Sequence, residues 1–134
     1  MCENRLYFGH VNRVHTYNRI EVSLDLTLGV LVKKDVIIEG ITQATVSGRW
    51  QEATRCLVVL LGAENVHIYT DPSCRDGHLL GRVYVPSWRP GAPPVPMEIP
   101  PGTNVPCVEV SSWVRWIADE GFDARRLRTA LKEA

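Results

Sequence analysis

The chain has 134 residues, 45% hydrophobic and 22% charged, the composition of a small globular domain able to bury one core. Fifteen basic residues balance fifteen acidic ones, which excludes a strong whole-molecule attraction to nucleic acid but not a local basic patch. No apolar run approaches the ~20 residues needed to cross a bilayer, and Met1 to Arg5 lacks the apolar core of a secretory signal, so no membrane partner and a cytoplasmic location are expected.

Residues 5–15 and 19–26 alternate well enough for two strands, with Ile20, Val22 and Leu24 on one face and Glu21 and Asp25 on the polar one. Gly29 follows, then a polar turn at Lys33-Lys34-Asp35 and a short apolar β-branched run, Val36-Ile37-Ile38, as a central or curled strand would show. From Ser47 the spacing becomes helical. Trp50, Ala53, Leu57 and Leu60 or Leu61 form a stripe, with Ser47 as N-cap, Gly62 as stop and Cys56 buried on the helix. Strands over 65–70 and 79–85 complete a set of five.

Beyond Val85 the chain changes character. Eight of its nine prolines fall between Pro86 and Pro106, and proline cannot join a central ladder, so residues 86–106 read as a long surface loop. Trp88 and Arg89 within it are the candidate partner-binding residues. Ser111 to Phe122 reads as a capped helix ended by glycine, whose Trp113, Trp116 and Ile117 stripe faces the core. Asp123 then caps a last helix from Ala124 to Lys132, with Arg125, Arg126 and Arg128 near one solvated side. The division is one domain over 1–134, with a barrel core at 5–85, the Pro-rich loop at 86–106 and a helical part at 107–134.

Cys2, Cys56, Cys74 and Cys107 are widely spaced, without a Cys-x-x-Cys pair, so reduced thiols are expected. His10, His15, His67 and His78 show no metal-ligand spacing; two of them could meet in space, but isolated histidines are the simpler reading, and no metal is expected.

From Val11 to Val85 the order and spacing resemble the micrococcal (thermostable) nuclease family. Thr16-Tyr17-Asn18-Arg19 stands where that family has Asp-Gly-Asp-Thr. Val36-Ile37-Ile38-Glu39-Gly40-Ile41 is similar to its "Arg-Leu-x-Gly-Ile" strand, and Gly77-His78-Leu79-Leu80-Gly81-Arg82-Val83-Tyr84 to its "Gly-Arg-x-Leu-Ala-x-Val-Tyr" segment. The resemblance implies an α+β, mainly β fold: a five-stranded OB-type barrel with a helix between strands 3 and 4, followed by the Pro-rich loop and C-terminal helices.

It also implies lost chemistry. The family's calcium-binding and water-activating carboxylates fall on Asn18, Thr42 and Thr45, which keep oxygen but no formal charge. Its two phosphate-clamping arginines fall on Ile37 and His78, so transition-state charge loses its stabilisers. No catalytic residue, cofactor or metal is then expected.

The first functional expectation is a catalytically inactive structural or protein-interaction module, with a protein partner or a second copy, as a subunit of a larger assembly such as a viral one. The second is a sequence-independent nucleic-acid or nucleotide binder using Arg19, Arg82 and His78 in the old cleft, with salt-dependent affinity. The third is a metal-dependent phosphodiesterase whose site has moved to Glu39, Asp25 and His78, with Asp76 nearby. Against that third expectation, Glu21, Asp25 and Glu39 read more simply as solvent-facing carboxylates.

Overall fold

The computed structural model describes residues 5–62, 64–70, 78–86 and 97–119. Five strands, β1 (Leu6–Thr16), β2 (Arg19–Asp25), β3 (Leu31–Ile38), β4 (Asn65–Thr70) and β5 (Leu79–Val85), carry the fold. They follow the order β3-β2-β1-β4-β5, and a parallel β3–β5 pairing returns the last strand to the first, which closes a mixed barrel. A two-residue strand, β6 (Val108–Glu109), adds to β5 and runs directly into the second helix. The helices are α1 (Trp50–Leu61), between β3 and β4, and α2 (Val110–Asp119).

Alternation explains which faces are buried. Ile20, Val22 and Leu24 of β2 point inward, together with Val36 and Ile38, Val66 and Ile68, and Val83 and Val85 from the other strands. Helix α1 adds Ala53, Cys56, Leu57, Leu60 and Leu61, and α2 adds Val110, Trp113, Val114 and Ile117 to the same core. Full burial of each Leu or Ile is worth about 1.5–3 kcal/mol. The Trp113 and Trp116 rings stack with centroids 4.9 Å apart, as the core stripe anticipates.

Gly81 makes the closure feasible. It pairs with Ile38 on one side and Thr70 on the other, and a Cβ there would lie 2.7 Å from the Tyr69 carbonyl oxygen. At the end of β3, Gly40 turns the chain at φ +96, against Ser111 of α2.

Three boundaries differ from the sequence reading. Lys33-Lys34-Asp35 is strand and not turn: these residues pair with Ser23, Val22 and Glu21. The reversal lies earlier, at Thr27, Leu28 and Gly29, all with positive φ, closed by Leu26 N–H donating to the Val30 carbonyl at 2.9 Å. Lysines are tolerated because both are exposed along the outer part of β3, beyond the residues that β5 pairs.

Helix α1 starts at Trp50, so Ser47 is not its N-cap. Ser47 sits at φ +54 within a series of turns in which Gly48 N–H donates to the Gln43 carbonyl at 2.9 Å. Trp50 is 46% exposed, so the buried stripe begins at Ala53. Gly62 is the stop, as read, and its N–H donates to the Val58 carbonyl.

Ser111 likewise does not cap α2, because the helix continues from β6 without a break. Its buried hydroxyl donates to Glu109 Oε1 at 2.8 Å. In the described part of the Pro-rich stretch, Glu98 and Cys107 form an isolated antiparallel bridge. Trp88, Arg89, Asp76, Cys2, Cys74 and the helix expected over 124–132 lie outside the described residues.

Candidate functional site

The turn joining β1 to β2 and the segment after β3 meet at one rim of the barrel. Ile38 N–H donates to the Asn18 carbonyl at 2.7 Å, which docks the turn on the end of β3. The Asn18 side-chain amide points to the Ile41 carbonyl at 3.4 Å, and the Thr16 hydroxyl to Asn18 Oδ1 at 3.4 Å. Thr42 and Thr45 bring their hydroxyl oxygens within 2.9 Å of each other, and Thr42 Oγ1 also accepts from Thr45 N–H. The Thr45 hydroxyl reaches the Gly40 carbonyl. Asn18 and Thr45 thus each reach a carbonyl of the Gly40-Ile41 segment and Thr42 pairs with Thr45, so these neutral oxygens are engaged with one another or with backbone. A hard divalent cation draws its affinity mainly from anionic oxygen ligands, and these three residues supply none.

Ile37 occupies the outer face between its cross-strand partners Arg19 and Leu80. Arg82 lies further along β5, with its Nε 3.9 Å from Glu39 Oε2. Its pKa is raised, first by a hydrogen bond and charge interaction with Tyr84, then by the Glu109 and Glu39 carboxylates. An acceptor and two anions thus already surround this guanidinium. The Glu39 pair is long and half-exposed, so it orients Arg82 more than it stabilises the fold.

The expected relocated site of Glu39, Asp25 and His78 does not form. Asp25 lies at the far end of the β2–β3 hairpin, opposite Leu31, where Oδ1 accepts from Thr27 N–H at 2.8 Å. Six residues along β2 separate it from Arg19, a distance on the order of 20 Å.

A different cluster does form. Asp35 receives two histidines: His15 Nε2 lies 3.2 Å from Oδ1 and His78 Nε2 lies 3.6 Å from Oδ2. Glu21 is the direct cross-strand partner of Asp35, and ligand atoms of His15, Glu21 and Asp35 all fall within 4.8 Å of one another. His15 and His78 are therefore not isolated, contrary to the sequence reading. The signal missed is a bulge. The β1–β2 register shifts between Val14 and Thr16, and His15 is the residue left out, which re-aims its side chain across the sheet. His10 instead contacts Asn65 Oδ1 through Nδ1 at 2.9 Å, and His67 lies against the Phe8 ring.

No family model and no curated protein matches the chain. Among the described residues, no helix is long and apolar enough to cross a membrane.

Proposed function

We propose that this chain is a degenerate member of the micrococcal nuclease-like family, an OB-type barrel that acts as a non-catalytic protein-interaction module within a larger assembly. The strand order, with β1 between β2 and β4, β5 parallel to β3, and a helix between β3 and β4, supports the OB-type assignment. The observation that carries the functional reading is that Asn18, Thr42 and Thr45 offer neutral oxygens engaged with one another or with the Gly40 and Ile41 carbonyls. On this reading the rim lacks the charges that phosphodiester hydrolysis by the family's mechanism needs.

The interaction half of the reading draws on the β2–β3 hairpin tip. Leu26, Leu28, Val30 and Leu31 are all exposed there, Leu28 by 99%. Clustered exposed apolar side chains on a small barrel mark a surface that another protein covers. The test compares wild type with Leu28→Asp/Leu31→Asp by light scattering after size exclusion and by crosslinking in the producing cell. A stable assembly lost in the variant supports the reading. A strictly monomeric wild type that co-purifies with nothing overturns it.

Nucleic-acid binding through Arg19, Arg82 and His78 draws less support, because Arg82 lies beside Glu39 and Glu109 and His78 beside Asp35. Those carboxylates repel a phosphate at the positions meant to hold it.

A further inference from the structure

We propose that His15, Glu21 and Asp35 bind one first-row divalent metal ion, Zn²⁺ by preference, on the outer face of the barrel, with His78 positioning Asp35 through its second carboxylate oxygen. Each ligand comes from a different strand or from its immediate flank. Glu21 and Asp35 are opposite one another on β2 and β3. His15 is the bulged residue of β1. His78 directly precedes Leu79, the partner of Val36, so it approaches Asp35 from the other side of β3.

The geometry is that of a metal shell close to assembly. Ligand atoms at about 2.0–2.1 Å from a tetrahedral zinc lie about 3.3 Å from each other. The His15 Nε2–Asp35 Oδ1 separation of 3.2 Å is close to that value, while His78 Nε2 lies 3.6 Å from the other oxygen, Oδ2, where it orients the carboxylate. Glu21 completes the set within 4.8 Å of His15 and Asp35, a gap that rotation of a partly exposed glutamate closes. Three protein ligands leave a tetrahedral ion one position for water.

Donor chemistry selects the ion. An imidazole and two carboxylates suit zinc and its neighbours, whereas calcium and magnesium take oxygen shells. Two carboxylates also balance the divalent charge when the imidazole is neutral. The location gives the ion a purpose: β3 and β5 join through only three register pairs, from Val36↔Leu79 to Ile38↔Gly81. The cluster sits at the open end of that seam and ties it to β1 and β2. This inference stands apart from the interaction reading and survives its failure.

The test uses the full chain, stripped with EDTA and dialysed, then titrated with Zn²⁺ by calorimetry while melting curves are recorded. Co²⁺ replaces Zn²⁺ for visible spectroscopy. One equivalent of Zn²⁺ is expected to bind and raise the Tm, and Co²⁺ to show the intense visible band of a tetrahedral site. His15→Ala and His78→Ala each lower affinity by at least about tenfold, while His10→Ala does not. Asp35→Asn preserves side-chain shape, and its far-UV circular dichroism separates ligand loss from misfolding. Absence of Zn²⁺ binding to wild type, or equal binding by wild type and the folded His15, His78 and Asp35 variants, overturns the proposal.

Discussion

The hydroxyl oxygens of Thr42 and Thr45 lie 2.9 Å apart and share a hydrogen bond; on the proposed reading they stand where the resembled family sets an aspartate and a glutamate around calcium. If only charge has been lost from this rim, restoring charge restores affinity. Asn18→Asp/Thr42→Asp/Thr45→Glu is expected to bind Ca²⁺ with a dissociation constant on the order of 10⁻⁴–10⁻³ M, the range of weak sites. Calorimetry on wild type and variant measures this. A folded variant that still ignores calcium shows that the turn has changed shape as well as charge.

Gly81 is expected to be the least replaceable residue of the barrel wall. A Cβ there meets the Tyr69 carbonyl oxygen at 2.7 Å and the Thr70 Cα at 3.1 Å, backbone atoms that cannot swing aside. Gly81→Ala should cost about 1–3 kcal/mol, the usual penalty of overpacking, read from urea denaturation midpoints at unchanged m. A neutral result would mean that the β4–β5 contact relaxes freely.

His67 links stability to pH. Its Nδ1 is buried without a hydrogen-bond partner, and burial holds its pKa below the ordinary histidine value. A proton therefore binds the unfolded chain more readily. The sign follows: stability is fully present above the unfolded value of about 6.5 and is lost as pH falls through the depressed folded value. In His67→Gln the part of this loss that His67 causes disappears. Melting curves of both proteins between pH 7.5 and pH 5, compared as differences, supply the check.

Cys56 is expected to be inert in the folded protein. Burial pushes its thiol up to about 12, so almost none of it is thiolate at neutral pH. Cys107 is buried too, and its pKa is raised for the same reason. Alkylation at pH 8 followed by peptide mass spectrometry should leave both unmodified without denaturant and modify both with it. Rapid labelling of Cys56 under native conditions contradicts the packing of α1 against the core.

Much of the barrel was legible because strands with one buried face write their period into the chain. Ile20-Glu21-Val22-Ser23-Leu24 is inward at every second residue, and the α1 stripe from Ala53 to Leu61 is inward at helical spacing. The start of β3 was not legible. Lys33 and Lys34 imitate a turn because that part of the strand lies beyond the cover of β5. Positive φ at Thr27, Leu28 and Ser47, none of them glycine, likewise has no sequence signature.

The candidate site divides in the same way. Asn18, Thr42 and Thr45 were singled out through motif order, and Asn18 and Thr45 bond to the neighbouring Ile41 and Gly40 carbonyls. The Asp35 cluster was missed because it depends on a bulge in β1 and on a parallel strand arriving from more than forty residues away. Neither local spacing nor periodicity reports such a meeting.

The proposed absence of phosphodiester chemistry is tested most directly on one gel. Purified protein is incubated with single-stranded DNA, double-stranded DNA and RNA, each with Ca²⁺, Mg²⁺, Zn²⁺ or EDTA. Every substrate is expected to stay intact in every lane. Cleavage that appears with a metal ion and disappears with EDTA would contradict the account and assign chemistry to the metal-binding side chains.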